Sequence, residues 1–282
     1  MSDDPRFPLE QQLITILAAN RENAHGTQLD RARDLRGLAD DLRQRYGLQK
    51  WANLKQKHVM HLVERLKAAD TGTRDIDGKL TNLRWLLRKI GKPNLLPRSN
   101  RELGIEPGER HKHAGKVVSD EKLQQVLAAL KDQPRLAAMV LLGRTLGLRF
   151  REAALFEVAK CWRGRQIVIF RGAKGGRDRY VNITNPKQVE TLKAVQAVAP
   201  NGSLIPQDWP TFEKFRQWAY RQLRRAELGK KQGNTFHDMR RSYACDRMRA
   251  LEPVRGRTAA ALLVARELGH NRTEVLEWYM AA

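Results

Sequence analysis

Four short segments in the second half of the sequence carry residue types suited to phosphate chemistry. At 146–152, LGLRFRE places Arg149 after a Gly-Leu pair at the end of an apolar helix, with Arg151 and Glu152 next. A planar guanidinium held at such a break can clamp a phosphate with two parallel hydrogen bonds. At 172–179, GAKGGRDR puts Lys174 before two glycines that permit a tight turn and close approach to a ligand. A lysine at a hairpin tip can reach into DNA and give a proton to a departing oxygen. At 237–240, HDMR sets His237 and Arg240 three apart, on one face of a helix. At 268–279, LGHNRTEVLEWY ends a helix at Gly269, puts His270 in the turn and Tyr279 nine residues on.

Each segment also has a bland reading. Arg149 alone is a surface arginine at a helix end, and Lys174 alone is a solubilising turn lysine. With 7 histidines in a chain this rich in arginine, about one HxxR pair is expected by chance. Tyr279 alone packs beside Trp278, although Tyr46, Tyr180, Tyr220 and Tyr243 have no comparable histidine-bearing turn before them.

Charge narrows the partner. Lys and Arg total 53 against 31 Asp and Glu, a net +22 over 282 residues. That excess opposes compaction unless a polyanion neutralises it, which points to nucleic acid. Residues 1–118 carry +8 and the rest +14, so neither half is a neutral domain with a basic tail. Arginines outnumber lysines 35 to 18, but charge does not say what is done to the nucleic acid. Cys161 and Cys245 are 84 residues apart with no CxxC, which indicates neither a disulfide framework nor a zinc site. His111 and His113 lack further ligands nearby, so no metal is expected. The N-terminus has no signal pattern and no apolar run approaches the ~18 residues of a membrane span. A soluble, cytoplasmic protein is expected.

These segments need elements to hold them. Apolar residues at three-to-four spacing predict helices near 9–22, 27–46, 52–68 and 73–90, four or five over 8–110. Leu80, Leu83, Leu86, Leu87 and Ile90 mark the fourth, which Gly91, Pro93 and Pro97 stop. Arg74, Lys79, Arg84 and Arg88 on it are candidate DNA contacts, as are Arg177 and Arg241 further on. A polar, glycine-containing stretch around 104–118 reads as a linker. Helices are then predicted near 119–131 and 134–145, strands at 165–171 and 180–184, and helices near 186–198, 210–227, 236–250, 257–268 and 273–280. The fold class is mainly α with a small β-hairpin or sheet, in two domains: 1–106 helical, 107–118 linker, 119–282 mixed α/β.

Taken together and in order, GLRxxE, a hairpin lysine, HxxR, and LGH with a tyrosine nine later resemble the tyrosine recombinases, or phage integrases. The strings LGLRFREAALF and FHDMRRSYA are similar to that family's context around its two arginines. The resemblance covers about 119–282; the helical, basic first domain resembles the family's SAM-like core-binding domain. It implies a site-specific recombinase that cleaves and rejoins DNA through a 3′-phosphotyrosine, without ATP, metal or cofactor. Arg149 and Arg240 would hold the scissile phosphate, His270 would add a hydrogen bond, and Tyr279 would attack. His237 would help remove its proton and Lys174 would protonate the leaving 5′ oxygen. Glu152 would orient basic groups rather than react. The implied partner is double-stranded DNA, bound by a monomer or dimer that becomes a homotetramer on paired sites, with accessory DNA-bending proteins as a further partner class. The implied origin is bacterial, phage or mobile-element.

Two other readings stay open: a type IB topoisomerase-like or telomere-resolving strand transferase, and a non-catalytic DNA-binding protein. The family usually continues past its tyrosine with a tail that docks on a neighbouring subunit, whereas three residues follow Tyr279 here. Cooperative strand exchange is therefore expected to be less secure than cleavage. No arm-binding domain is expected ahead of residue 8, leaving a two-domain clamp.

Overall fold

The computed structural model describes residues 8–22, 25–69, 72–106, 116–172 and 178–270. The chain divides into two compact units, Met1–His111 and Lys112–Ala282. No described helix is long and apolar enough to cross a membrane.

The first unit holds four helices: α1 (Pro8–Ala18), α2 (His25–Tyr46), α3 (Gln56–Ala68) and α4 (Thr73–Lys89). Their apolar stripes meet in one core that includes Leu9, Leu13, Leu35, Leu42, Leu62, Leu80, Leu83 and Leu86. The three-to-four spacing predicted this, because helices of that pattern are stable only when the stripe is buried. Trp51, in a short 3₁₀ turn, is also buried there, and its indole N–H donates to the Leu9 carbonyl at 3.1 Å. The turn occupies the start of the predicted third helix, so α3 proper begins at Gln56.

The second unit runs α5 (Asp120–Ala129), α6 (Pro134–Leu146), α7 (Phe150–Ala154), α8 (Val158–Cys161), β1 (Trp162–Arg163), β2 (Gln166–Ile169), β3 (Arg179–Asn182), α9 (Pro186–Val198), α10 (Phe212–Arg225), α11 (Phe236–Arg255) and α12 (Arg257–Glu267). Helix α6 is apolar on nearly every side, as its burial against α9 and α11 requires. Gly143 lets Phe236 of α11 come close; a methyl there would lie 3.2 Å from the ring. The antiparallel sheet has the order β1-β2-β3, with Ile167 opposite Val181 and Ile169 opposite Arg179. A third strand joins the predicted pair, and its two residues are too few to show any alternation. Val118, placed in the predicted linker, is buried in this unit's core, and its N–H donates to Ser242 Oγ at 2.8 Å. Helix α11 runs to Arg255, beyond the expected end at 250. Pro253 lies in its final turn, where it forgoes an N–H bond to the carbonyl four residues back, and the chain leaves through Gly256 at φ +75°.

Candidate active site

The site forms where three element ends meet: the end of α6, the start of α7 and the end of α12. Gly147 terminates α6 at φ +66°. A side chain there would be strained, and its Cβ would lie 2.5 Å from Tyr243 Cδ1. Arg149 then caps α7. Glu152, three residues on, reaches back to accept the Arg149 backbone N–H at 2.7 Å, the reciprocal half of a capping box. This local device places a carboxylate at the centre of the site.

Glu152 is buried and surrounded by guanidinium groups. Its Oε1 accepts from Arg149 Nη1 at 2.7 Å and Arg179 Nε at 3.4 Å. Its Oε2 accepts from Arg179 Nη2 at 2.6 Å, and Arg240 Nη1 stands 3.7 Å from it. Burial alone would raise this carboxyl's pKa; Arg179, then Arg240 and Arg149, overrule it and hold the value at about 2.

Arg240, on the first turns of α11, has no exposed surface. Nη1 donates to the Gly147 carbonyl at 2.6 Å and Nη2 to the Leu268 carbonyl. Arg149 Nη2 donates to that same Leu268 carbonyl at 3.2 Å. The two arginines expected to share one phosphate thus already converge on one oxygen, at the negative end of α12. The end of α12 also sets His270: its N–H bonds to the Ala265 carbonyl at 2.8 Å across Gly269, which takes φ +65°. His270 Nε2 then lies 3.3 Å from Arg240 Nη2. Burial, then the charges of Arg240, Arg149 and Arg179, push its pKa down to about 4. His237 is lowered by the same causes, burial first and then Arg240.

The structure therefore brings together Arg149, Arg240 and His270, with His237 on the same helix as Arg240. Lys174, Arg177 and Tyr279 lie outside the described residues, as do His111 and His113. Of the other expected DNA contacts, Arg74 and Arg88 are exposed and Lys79 pairs with Asp75 at 2.7 Å. Arg84 is half-buried and ties α4 to the following loop, through the Pro97 carbonyl at 2.8 Å and Asn100 Oδ1 at 2.6 Å. Arg241 is buried at 5% exposure rather than on an open face.

Sequence reasoning missed Arg179, which is 4% exposed on β3. The available signal was strand alternation: Arg179 and Val181 point inward while Tyr180 is exposed. It also missed a neighbouring buried group. Glu267 accepts from the Tyr243 hydroxyl at 2.8 Å and from Arg247 Nε and Nη2, both at 3.0 Å. Burial, and then Glu267, raise the Tyr243 pKa well above its ordinary value, so this tyrosine stays a protonated donor.

Chemically, three guanidinium groups face one carboxylate beside a histidine that is neutral near pH 7. The surplus is positive and suits an anion.

The family model for integrases matches residues 106–246, a span that includes Arg149, Lys174, His237 and Arg240. That for the phage integrase N-terminal part matches residues 8–96. No curated protein matches the chain. Among solved structures, the chain is similar to a lambda integrase dimer bound to a COC′ core site, with TM-score 0.64, 14% identity, and 96% of this chain and 75% of that one covered. It is similar to the Tn1549 transposon integrase in complex with circular intermediate DNA, with TM-score 0.62, 16% identity and coverage of 97% and 95%. A third is the XerH site-specific recombinase in a post-cleavage complex, with TM-score 0.56, 12% identity and coverage of 99% and 94%. At these identities the structural likeness is one of fold. With both family models matched in order along the chain, the protein belongs to the integrase family, the tyrosine recombinases.

Proposed function

We infer that this protein is a site-specific DNA recombinase that cuts one strand at a time through Tyr279. The observation that carries the reading is the convergence of Arg149 and Arg240 on the Leu268 carbonyl, with His270 3.3 Å from Arg240. A phosphodiester repels nucleophiles through its own charge, and preorganised cations relieve that repulsion most in the transition state. Arg149 and Arg240 hold the non-bridging oxygens of the scissile phosphate, and neutral His270 donates a third hydrogen bond to them. The Tyr279 oxygen bonds to phosphorus as the bond to the 5′ oxygen breaks. His237 takes the tyrosine proton and Lys174 gives one to the departing 5′ oxygen. The phosphotyrosine conserves the bond energy, so the reverse attack by a 5′ hydroxyl reseals DNA without ATP.

Residues 1–106 serve as the core-binding domain, 107–118 as linker and 119–282 as catalytic domain. The partner is double-stranded DNA, and a homotetramer on paired sites is the working assembly. Related structures include a lambda integrase tetramer bound to a Holliday junction, which supports this assembly. The bacterial or phage-infected cytoplasm is the compartment where such DNA is met.

The test is a candidate site nicked just beyond the scissile phosphate, so that cleavage releases a short fragment and strands the complex. A denaturant-resistant adduct mapped to Tyr279 by peptide mass, and absent in Tyr279→Phe, is the expected result. Tight, specific binding to that site without any adduct would replace this reading with a DNA-binding role.

A further inference from the structure

We propose that Arg179, outside the expected catalytic set, is a positioning residue for strand cleavage that reserves the charges of Arg149 and Arg240 for the scissile phosphate. The proposal rests on the recombinase reading above.

Every nitrogen of the Arg179 guanidinium has a protein acceptor. Nε and Nη2 fork onto the two oxygens of Glu152, Nη2 also reaches the Gly147 carbonyl at 3.3 Å, and Nη1 donates to the Glu267 carbonyl. Its side chain is 3% exposed, and its nearest charged partner is Glu152, with Nη2 2.6 Å from Oε2. Arg149 is placed differently: it gives Glu152 one nitrogen, keeps another on the Leu268 carbonyl, and its side chain is 22% exposed. Arg240 stands farther still from Glu152, at 3.7 Å.

The capping box draws Glu152 into the site, and a buried carboxylate next to two phosphate-binding arginines would compete for them. Arg179 removes that competition. With Glu152 and Arg179 cancelling, Arg149 and Arg240 offer two positive charges. A phosphodiester carries one negative charge and its pentacoordinate transition state carries two, so the match is to the transition state. Without Arg179, Glu152 takes up one of the two remaining charges, and the pocket matches the ground state instead. Gly269 belongs to the same arrangement, since a Cβ there would lie 2.9 Å from Arg179 Cδ.

The experiment compares adduct formation on nicked DNA carrying either the normal phosphate or an uncharged methylphosphonate at the scissile position. The proteins are wild type, Arg179→Met, Arg179→Lys and the double variant Glu152→Gln with Arg179→Met. Arg179→Met should cleave the normal phosphate slower, by on the order of a hundredfold. Its preference for the normal over the methylphosphonate substrate should fall about tenfold or more, because the neutral substrate needs one positive charge fewer. The double variant, which removes one charge of each sign, should recover about tenfold over Arg179→Met. Arg179→Lys should keep the wild-type preference. A purely structural role predicts equal slowing on both substrates and a double variant no faster than its slower parent, and either result overturns the proposal. Should Arg179→Met fail to show a cooperative melt, the preference of Arg179→Lys and the rate of the double variant decide by the same criteria. Wild-type protein that forms no adduct on either substrate defeats the recombinase reading itself, whereas active wild type with unshifted preferences in the variants defeats only the role of Arg179.

Discussion

Two buried carboxylates lie on either side of the end of α12, and they are neutralised in opposite ways. Glu267 is balanced: one arginine, Arg247, and one tyrosine hydroxyl, Tyr243, satisfy it. Glu152 is outnumbered by Arg149, Arg179 and Arg240. A balanced buried group needs no further ion and holds α11 to α12. The outnumbered one leaves positive charge that only an added anion can offset. Two clusters of similar residues thus divide into a fastener and a site, and the sign of the remainder tells them apart.

The largest expected effect comes from subtracting charge at the site. Arg149→Ala should slow single-turnover cleavage by on the order of 10³-fold, while binding of uncut DNA, read by gel shift, weakens only a few-fold. Equal loss of binding and cleavage would make Arg149 an ordinary phosphate contact. Next is the hinge between the clusters. Gly147→Ala strains a left-handed position and collides with Tyr243, which should cost about 3 kcal/mol in denaturant unfolding. Glu267→Gln sharpens the contrast: the lost pair with Arg247 should cost about 2 kcal/mol of stability, with cleavage by the folded protein changed less than about threefold. A larger drop in cleavage would mean the two clusters are one unit.

The smallest effect is the pH dependence. His270 has a folded pKa of about 4 against an ordinary 6.5, so between these values the unfolded chain binds the proton and the folded one does not. Its contribution to stability is complete above about 6.5 and is lost as pH falls toward 4. Glu152, at about 2 against 4.5, adds a second loss as pH falls from 4.5 toward 2. Melting temperature followed across this range should fall in these two windows, and His270→Asn should make the upper one shallower, leaving the smaller share of His237. An unchanged upper window would mean that another group is responsible.

Much of the site was legible because its chemistry sits at element ends, and ends leave marks. Gly147 and Gly269 stop helices, Glu152 follows Arg149 at capping-box spacing, and His237 and Arg240 share a helix face. Helices α2 and α4 were legible because each is long enough for its apolar period to repeat, and α6 because its apolar run is too long for a strand. Helices α7 and α8, of 5 and 4 residues, and strand β1, of 2, are too short for an apolar period to repeat, and tertiary context decides their conformation. Arg179 was hidden by its surroundings: among 35 arginines a buried one looks like the others. Arg84 and Arg241 show the converse, since residues expected at a DNA face are drawn inward by carbonyls and by packing that the linear order does not display.

The turn that ends α12 also fixes a length. His270 is pinned to Ala265 and lies beside Arg240, while Tyr279 is nine residues farther along the chain. Nine residues fully extended span about 30 Å. If Tyr279 is the nucleophile of the proposed reaction, the phosphate it attacks can lie no farther than about that radius from His270 and the arginines beside it.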